Sequence, residues 1–422
     1  MKTILLIGAG KSATVLIQYL IKESEANHWK FLVADADIQQ VLAKTGNSKF
    51  ATAIALDVTD HDARENLIQK AHVVISMMPP ALHFLIAKDC VEYRKHLLTA
   101  SYLDEKMKSL KDEINHRKLL FLCEMGLDPG IDHMSAMQMI HRLKKEGAVI
   151  QSFKSHCGGL IAPESDNNPW HYKISWNPRN IVLAGNAGAV YKEADQTVEV
   201  PYDKIFAGGH EVKVEKLQTL AWYPNRDSLS YIPLYKLPEA TTFIRTTLRH
   251  PQFLKGWQAL VSAKLTNDKD PLAEKNISFK EWSAPVLPFV NEENKEMLEY
   301  IGLFKEDIIP VAANSNADVL QFLVETALAM SPNDKDMIVM LHEIAFELNG
   351  VTNTLQSSLV VKGENNTATA MAKTVGLPLG IAAKLLLNGE LTLYGLHIPI
   401  VPEIYEPVLK ELQQEGIVFV EQ

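Results

Sequence analysis

Gly8, Gly10 and Ala13 are spaced as G-x-G-x-x-A, a pattern tied to phosphate binding. Gly8 permits a tight turn. Gly10 has no side chain to hold a pyrophosphate away from the backbone, and Ala13 lets a helix lie close on the strand before it. The free N–H groups of that helix, at its positive dipole end, then face the phosphates. Asp35 closes the apolar run Phe31–Ala34. A carboxylate there accepts the ribose hydroxyls of the adenosine half and repels a 2′-phosphate. Ala36 follows where NADP-binding chains more often carry arginine. The residues therefore favour NAD, with NADP as the alternative because Lys11 can serve a phosphate.

These groups need a strand, a turn and a helix to hold them. Ile4–Ile7 is an unbroken apolar run, and Val15, Leu16, Ile17 and Leu20 recur at helical intervals. The alternation continues with strands over Phe31–Ala34, Thr52–Leu56, Val73–Met77, His96–Thr99 and Leu119–Leu122. Helices are expected over His61–Lys70, Leu82–Arg94 and Asp104–His116. Alternation over about 120 residues predicts an α/β fold, a Rossmann doubly wound parallel sheet with its ligand crevice beyond the carboxyl ends of the strands. Asp57 and Val58 then fall at the adenine edge. Ile75, Ser76, Ser101, Tyr102 and the segment Glu124–Pro129 fall near the nicotinamide.

The second half reads as a mixed α/β substrate domain with a helical insertion. Ile150–His156 alternates as a half-buried strand. Ile244–Leu248, Phe253–Leu265, Leu298–Gly302, Val319–Ala329 and Met337–Leu348 carry apolar residues at helical intervals. The expected division is 1–125 for the dinucleotide domain, with a segment near 388–422 packing back on it. Residues 126–240 and 350–387 form the substrate domain, and 241–349 the insertion.

At 422 residues, 47% hydrophobic and 22% charged, the chain has room for two or three domains. A net charge of −9 without a strong basic run argues against a nucleic-acid partner. Cys90, Cys123 and Cys157 suit neither a disulfide framework nor a metal site and point to a reducing, cytoplasmic setting. Met1–Gly10 is too short an apolar run for a signal peptide. No run approaches the roughly 20 residues of a membrane span, so no membrane partner is expected. His61, His72, His83 and His96 lack ligand spacing and read as surface or satisfied core residues. No metal is expected.

Four segments stand in order behind the glycine turn: EMGLDPGIDH at Glu124–His133, CGGLIAPES at Cys157–Ser165, YPNRDS at Tyr223–Ser228 and TTLR at Thr246–Arg249. With LTASY at Leu98–Tyr102, they resemble the glutamate-forming saccharopine dehydrogenases, also called saccharopine reductases. The resemblance covers nearly the whole chain. It implies reversible oxidation of the secondary amine of saccharopine by NAD(P)⁺ and water, giving glutamate and 2-aminoadipate semialdehyde in lysine metabolism. By motif, the cofactor would touch Gly8, Ala9, Gly10, Lys11, Ser12, Asp35, Asp57, Val58, Ile75, Ser101, Leu127, Asp128, Pro129 and Ser175. The substrate would touch Ser101, Tyr102, Asp128, Arg226, Thr247, Leu248 and Arg249. LIAPES and TTLRH depart mildly from the family pattern. Asp35-Ala36 stands where NADP-using fungal members resemble one another with Cys-Arg, which points away from NADP. A homodimer is the usual assembly of such enzymes.

The implied substrate carries three carboxylates, which arginine can grip bidentately. Arg226, after a Pro-Asn turn, and Arg249 are the candidates, and Asp128 suits the substrate ammonium. Hydride loss needs an unprotonated amine, and water addition and collapse each move a proton. His156, His133, Tyr102, Asp128 and Cys157 all offer a titratable group, and the residues alone do not choose among them. His156 and Cys157 point to opposite faces of a strand unless it bulges. Two rival readings stand beside this one. A carboxynorspermidine synthase-like or opine-type reductase would lack part of the arginine set. A non-catalytic NAD-binding regulator would lose Asp128, Tyr102 or the arginines.

Overall fold

Thr3–Ile7 (β1) is buried along its whole length, so a continuous apolar run folds as a strand with both faces covered. The computed structural model describes residues 1–214 and 217–422. It divides into two compact units, Met1–Arg142 with Thr367–Val418, and Leu143–Asn366 with Phe419–Gln422.

In the first unit, β1 is followed by Thr14–Asn27 (α1), Lys30–Asp35 (β2), Ile38–Thr45 (α2), Ala51–Ala55 (β3), His61–Lys70 (α3), Val73–Ser76 (β4), Pro80–Glu92 (α4), His96–Thr99 (β5) and Leu120–Leu122 (β6). The sheet is parallel, in the spatial order Gly395–His397, β6, β5, β4, β1, β2, β3. The order reverses at β1, which sets the ligand crevice beside the first glycine turn. Helix ends carry the expected side-chain caps: Asp37 accepts from Gln39 and Gln40 N–H ahead of α2, and Asp60 from Ala63 N–H ahead of α3. The later helix Ala370–Asn388 packs on α1 within this unit. It is long and apolar enough to cross a membrane by composition, which corrects the expectation that no run reaches that length. With 78% of its apolar window buried, it is a core helix, apolar because most of its surface is covered.

The second unit is built on Val149–Ile161 (β7), Ala189–Glu193 (β8), Gln196–Val200 (β9), His210–Val212 (β10), Leu220–Pro224 (β11), Arg226–Asp227 (β12), Thr242–Arg249 (β13), Asp336–Leu348 (β14) and Val351–Lys362 (β15). The main path of its sheet runs β10, β11, β13, β7, β14, β15, then Val420–Glu421. β13 and β14 correct the helical reading of Ile244–Leu248 and Met337–Leu348. Each lies between two paired neighbours and is buried over most of its length; in β14 the apolar start Met337–Leu341 leaves no polar face to reveal a period of two. The helical insertion is therefore shorter than 241–349 and lies between β13 and β14. Its helices, among them Pro251–Ser262 and Asn316–Ala327, close on a core of Trp170, Phe253, Trp257, Leu260, Val319 and Leu320. The unit boundaries also differ from the sequence division: 367–387 lies with the first unit, and 126–142 stays with the Rossmann sheet.

Candidate active site

In the first unit the glycine turn has the geometry its spacing demands. Gly8 has φ +102°, and a Cβ there would lie 2.9 Å from the carbonyl carbon and oxygen of Met77. At Gly10 no protein atom lies within 4 Å of the Cβ position, leaving room for a phosphate to approach. Lys11–Ala13 forms a single tight turn into α1; Lys11 is exposed, Ser12 half-buried and Ala13 buried. Asp35, at the end of β2, accepts the Ala9 N–H at 2.6 Å with one oxygen and the Asp37 N–H at 3.0 Å with the other. The carboxylate is thus fixed beside the turn, where it can still accept ribose hydroxyls. This cradle fits a dinucleotide.

Lys44 escaped the sequence reading. Its Nζ donates to the Ala9 and Gly10 carbonyls at 2.5 and 2.6 Å, and burial pushes its pKa down to about 8. It belongs to α2, remote in sequence from the turn, so no motif pointed to it. Asp57 is exposed and accepts from the Thr59 N–H and hydroxyl, which hold its carboxyl below the usual range. The Val58 carbonyl accepts from Arg64 at 2.6 Å, and Arg64 is paired with buried Asp89 at 2.6 Å. Ile75 is fully buried in β4.

At the ends of β4, β5 and β6 a second polar group assembles. Ser76 Oγ lies 2.7 Å from His83 Nδ1, and His83 Nε2 lies 2.7 Å from Ser101 Oγ. His83 is thus a satisfied core residue, one of the two readings its lack of ligand spacing left. Its partners are hydroxyls, which ligand-spacing rules do not search for. Tyr102 donates its hydroxyl to Asp128 at 3.3 Å.

Asp128 sits in a tight turn with a cis peptide to Pro129, closed by Gly126 N–H to the Pro129 carbonyl at 3.0 Å and Ile131 N–H to the Gly126 carbonyl at 2.9 Å. Leu127 and Pro129 are buried, while Asp128 stays half-exposed. His133, in the helix Ile131–Lys145, is fully buried, with Nε2 2.8 Å from Glu124 and Nδ1 3.6 Å from Asp132. Glu124 also accepts the Leu103 N–H at 3.0 Å. His133 braces the loops that carry Tyr102 and Asp128.

In the second unit the strand registers decide which residues meet. Cys157 pairs with Thr247, Thr247 with Tyr223, and Arg249 lies two residues further on the same face of β13. The Arg249 guanidinium stands over the Tyr172 and Phe253 rings at 5.2 and 5.5 Å and donates through Nη1 to the Leu248 carbonyl at 2.7 Å. Its Nε is buried with no hydrogen-bond partner among the described residues.

Arg245 shares this face and is buried against Tyr231, its guanidinium 4.5 Å from the ring centre. The two-residue spacing of Arg245, Thr247 and Arg249 was its sequence signal, hidden by the helical reading. Arg226 is exposed on β12 with φ +52°. Ser175 is buried in this unit.

His156 and Leu248 lie on the face opposite Cys157, Thr247 and Arg249, as strand alternation requires. His156 Nδ1 meets Thr246 Oγ1 at 2.7 Å and its Nε2 meets Glu343 at 3.1 Å. That contact holds the Glu343 carboxyl below its usual range. Leu248 packs into a small core with Leu160, Val339 and Leu341. The register runs unbroken through residues 156 and 157, so alternation sends the two side chains apart.

The family model "Saccharopine dehydrogenase NADP binding domain" matches residues 4–121, and "Saccharopine dehydrogenase C-terminal domain" matches 126–417. The chain is 31% identical over its whole length to the mitochondrial alpha-aminoadipic semialdehyde synthase of Bos taurus, of which it covers 48%. It thus spans about half the length of that relative. It is 33% identical to the saccharopine dehydrogenase [NADP(+), L-glutamate-forming] of Saccharomyces cerevisiae, covering 98% of this chain and 97% of that one. The solved apo structure of the L-Glu-forming enzyme from that yeast superposes with a TM-score of 0.88 at 30% identity, covering 100% of this chain and 99% of the other.

Proposed function

This chain belongs to the saccharopine dehydrogenase family, and from that membership we propose that it oxidises the secondary amine of saccharopine with a nicotinamide dinucleotide and water, forming glutamate and 2-aminoadipate semialdehyde. The observation that carries the reading is Arg249: a residue 4% exposed, its guanidinium 5.2 and 5.5 Å from the centres of two aromatic rings, with a donor left unengaged among the described residues. A carboxylate is the group that matches it.

Gly8, Gly10 and Asp35 hold the dinucleotide, which when bound supplies the hydride acceptor. The hydride leaves the substrate carbon beside the secondary amine as the nitrogen lone pair closes an imine. Water adds to that carbon, the C–N bond breaks, the amine departs as glutamate and the carbon remains as an aldehyde. Asp128, half-exposed and oriented by Tyr102, accepts from the substrate's ammonium and moves protons during water addition and collapse. Cys157 is buried against Thr247, and His156 lies across the sheet, so neither serves as the base. Mixing the purified protein with saccharopine and NAD⁺ or NADP⁺, and following absorbance of the reduced dinucleotide, tests the proposal. Reduction with another amine and none with saccharopine refutes it.

The finer reading is a preference for NAD, although the yeast relative is named for NADP(+). Asp35 supports it, because its fixed carboxylate repels a 2′-phosphate. Replacing Asp35→Ser together with Ala36→Arg is expected to shift the ratio of kcat/KM values at least about tenfold toward NADP, the effect of one charge contact near 1.4 kcal/mol. An unchanged ratio contradicts the assignment of the β2 end. The same reading keeps a reducing compartment, since all three cysteines are buried thiols. It also takes a homodimer as the assembly, which light scattering decides.

A further inference from the structure

We infer that His83 is a positioning residue that passes a hydrogen bond from Ser76 to Ser101 and so aims the Ser101 hydroxyl, as a donor, at a ligand in the crevice. The identity of that ligand, and with it the direction of the relay, rests on the saccharopine reading above; the Ser76–His83–Ser101 chain of contacts does not.

The geometry runs from core to crevice. Ser76 is fully buried, His83 is 5% exposed and Ser101 is half-buried. Both imidazole nitrogens sit 2.7 Å from a hydroxyl oxygen. A neutral imidazole donates through one nitrogen and accepts through the other, so its tautomer fixes the direction of the whole chain. Burial pushes its pKa down to about 4, so at neutral pH it carries direction and stores no proton. It therefore does not act as the base.

With the Ser76 hydroxyl donating to Nδ1, Nε2–H donates to Ser101 Oγ. The Ser101 proton is then left to point outward. In the opposite tautomer Ser101 donates inward and offers the ligand only lone pairs. A carboxylate-rich amine calls for a donor, which selects the first arrangement. Thr99 Oγ1 accepts the Ser101 N–H at 3.3 Å and holds the backbone in place.

Turnover of saccharopine by wild type, His83→Gln and His83→Phe tests this, with dinucleotide Kd measured separately. Gln places an amide N–H near the Nε2 position and is expected to hold KM within about threefold. Phe fills the space without a donor and is expected to raise KM about tenfold or more, with dinucleotide Kd unchanged. An equal rise in both variants, or none in His83→Phe, overturns the inference. Independently of substrate, ¹⁵N NMR of the wild-type imidazole reads the tautomer: Nε2–H is expected, and Nδ1–H overturns the relay. A wild type inert toward saccharopine refutes the substrate assignment, while the imidazole spectrum still decides the relay.

Discussion

Arg249→Ala is expected to lower kcat/KM for saccharopine by about 100- to 1000-fold, the loss that follows when a buried charge pair of roughly 2–5 kcal/mol is broken. The effect is large because the site is dry. Arg249 is 4% exposed, packed near the Tyr172 and Phe253 rings and held by its bond to the Leu248 carbonyl, so its charge is poorly screened and its fork is already oriented. Arg249→Lys is expected to recover little, since an ammonium does not reproduce the planar fork. Dinucleotide affinity is expected to stay at the wild-type value in both variants. The alanine change also removes the donor to the Leu248 carbonyl, at a cost to stability of about 1–3 kcal/mol. Thermal unfolding separates that loss from the loss of substrate binding. A folded Arg249→Ala protein with wild-type KM contradicts the assignment.

Gly130→Ala is expected to destabilise the protein by about 4 kcal/mol or more, the range reached when a change cannot be absorbed locally. Gly130 has φ +148°, and a Cβ there would fall 2.0 Å from the Gly126 carbonyl oxygen and 2.4 Å from its nitrogen. All the atoms in the way are backbone, so no side chain can swing aside. The turn that must deform is the one that presents Asp128. Residual folded enzyme is therefore expected to lose turnover as well. Gly46→Ala is the control. It has φ +54° and ψ −141° with no atom within 4 Å of the Cβ, so it carries backbone strain without the clash and is expected to cost only about 1–3 kcal/mol. Equal denaturant midpoints for the two variants contradict the clash argument.

The Rossmann half was legible because its signals are local. Gly8, Gly10 and Asp35 announce a strand, a turn and a strand end within one βαβ unit, and the structure places them at those points. The second sheet was harder to read. Met337–Leu341 is a continuous apolar run, and burial on both faces removes the alternation that separates a strand from a helix. The helical reading of Ile244–Leu248 in turn hid Arg245 and left the shared face of Thr247 and Arg249 unseen. Lys44 was missed, and His83 was read no further than surface or satisfied core, for a different reason: their partners are main-chain carbonyls and hydroxyls brought close by the tertiary fold. His156 and Cys157 could be separated from sequence alone, because alternation already opposed them. What sequence could not supply was Thr246 and Glu343 waiting on the other side.

Product analysis tests the central claim most directly. The protein is incubated with saccharopine, NAD⁺ and water, and glutamate and reduced dinucleotide are quantified together. One glutamate and one aldehyde are expected to appear for every dinucleotide reduced, with both products falling in step in the Arg249→Ala protein. Reduced dinucleotide without glutamate, or lysine appearing in its place, would show that a different carbon–nitrogen bond is cut and would contradict the account.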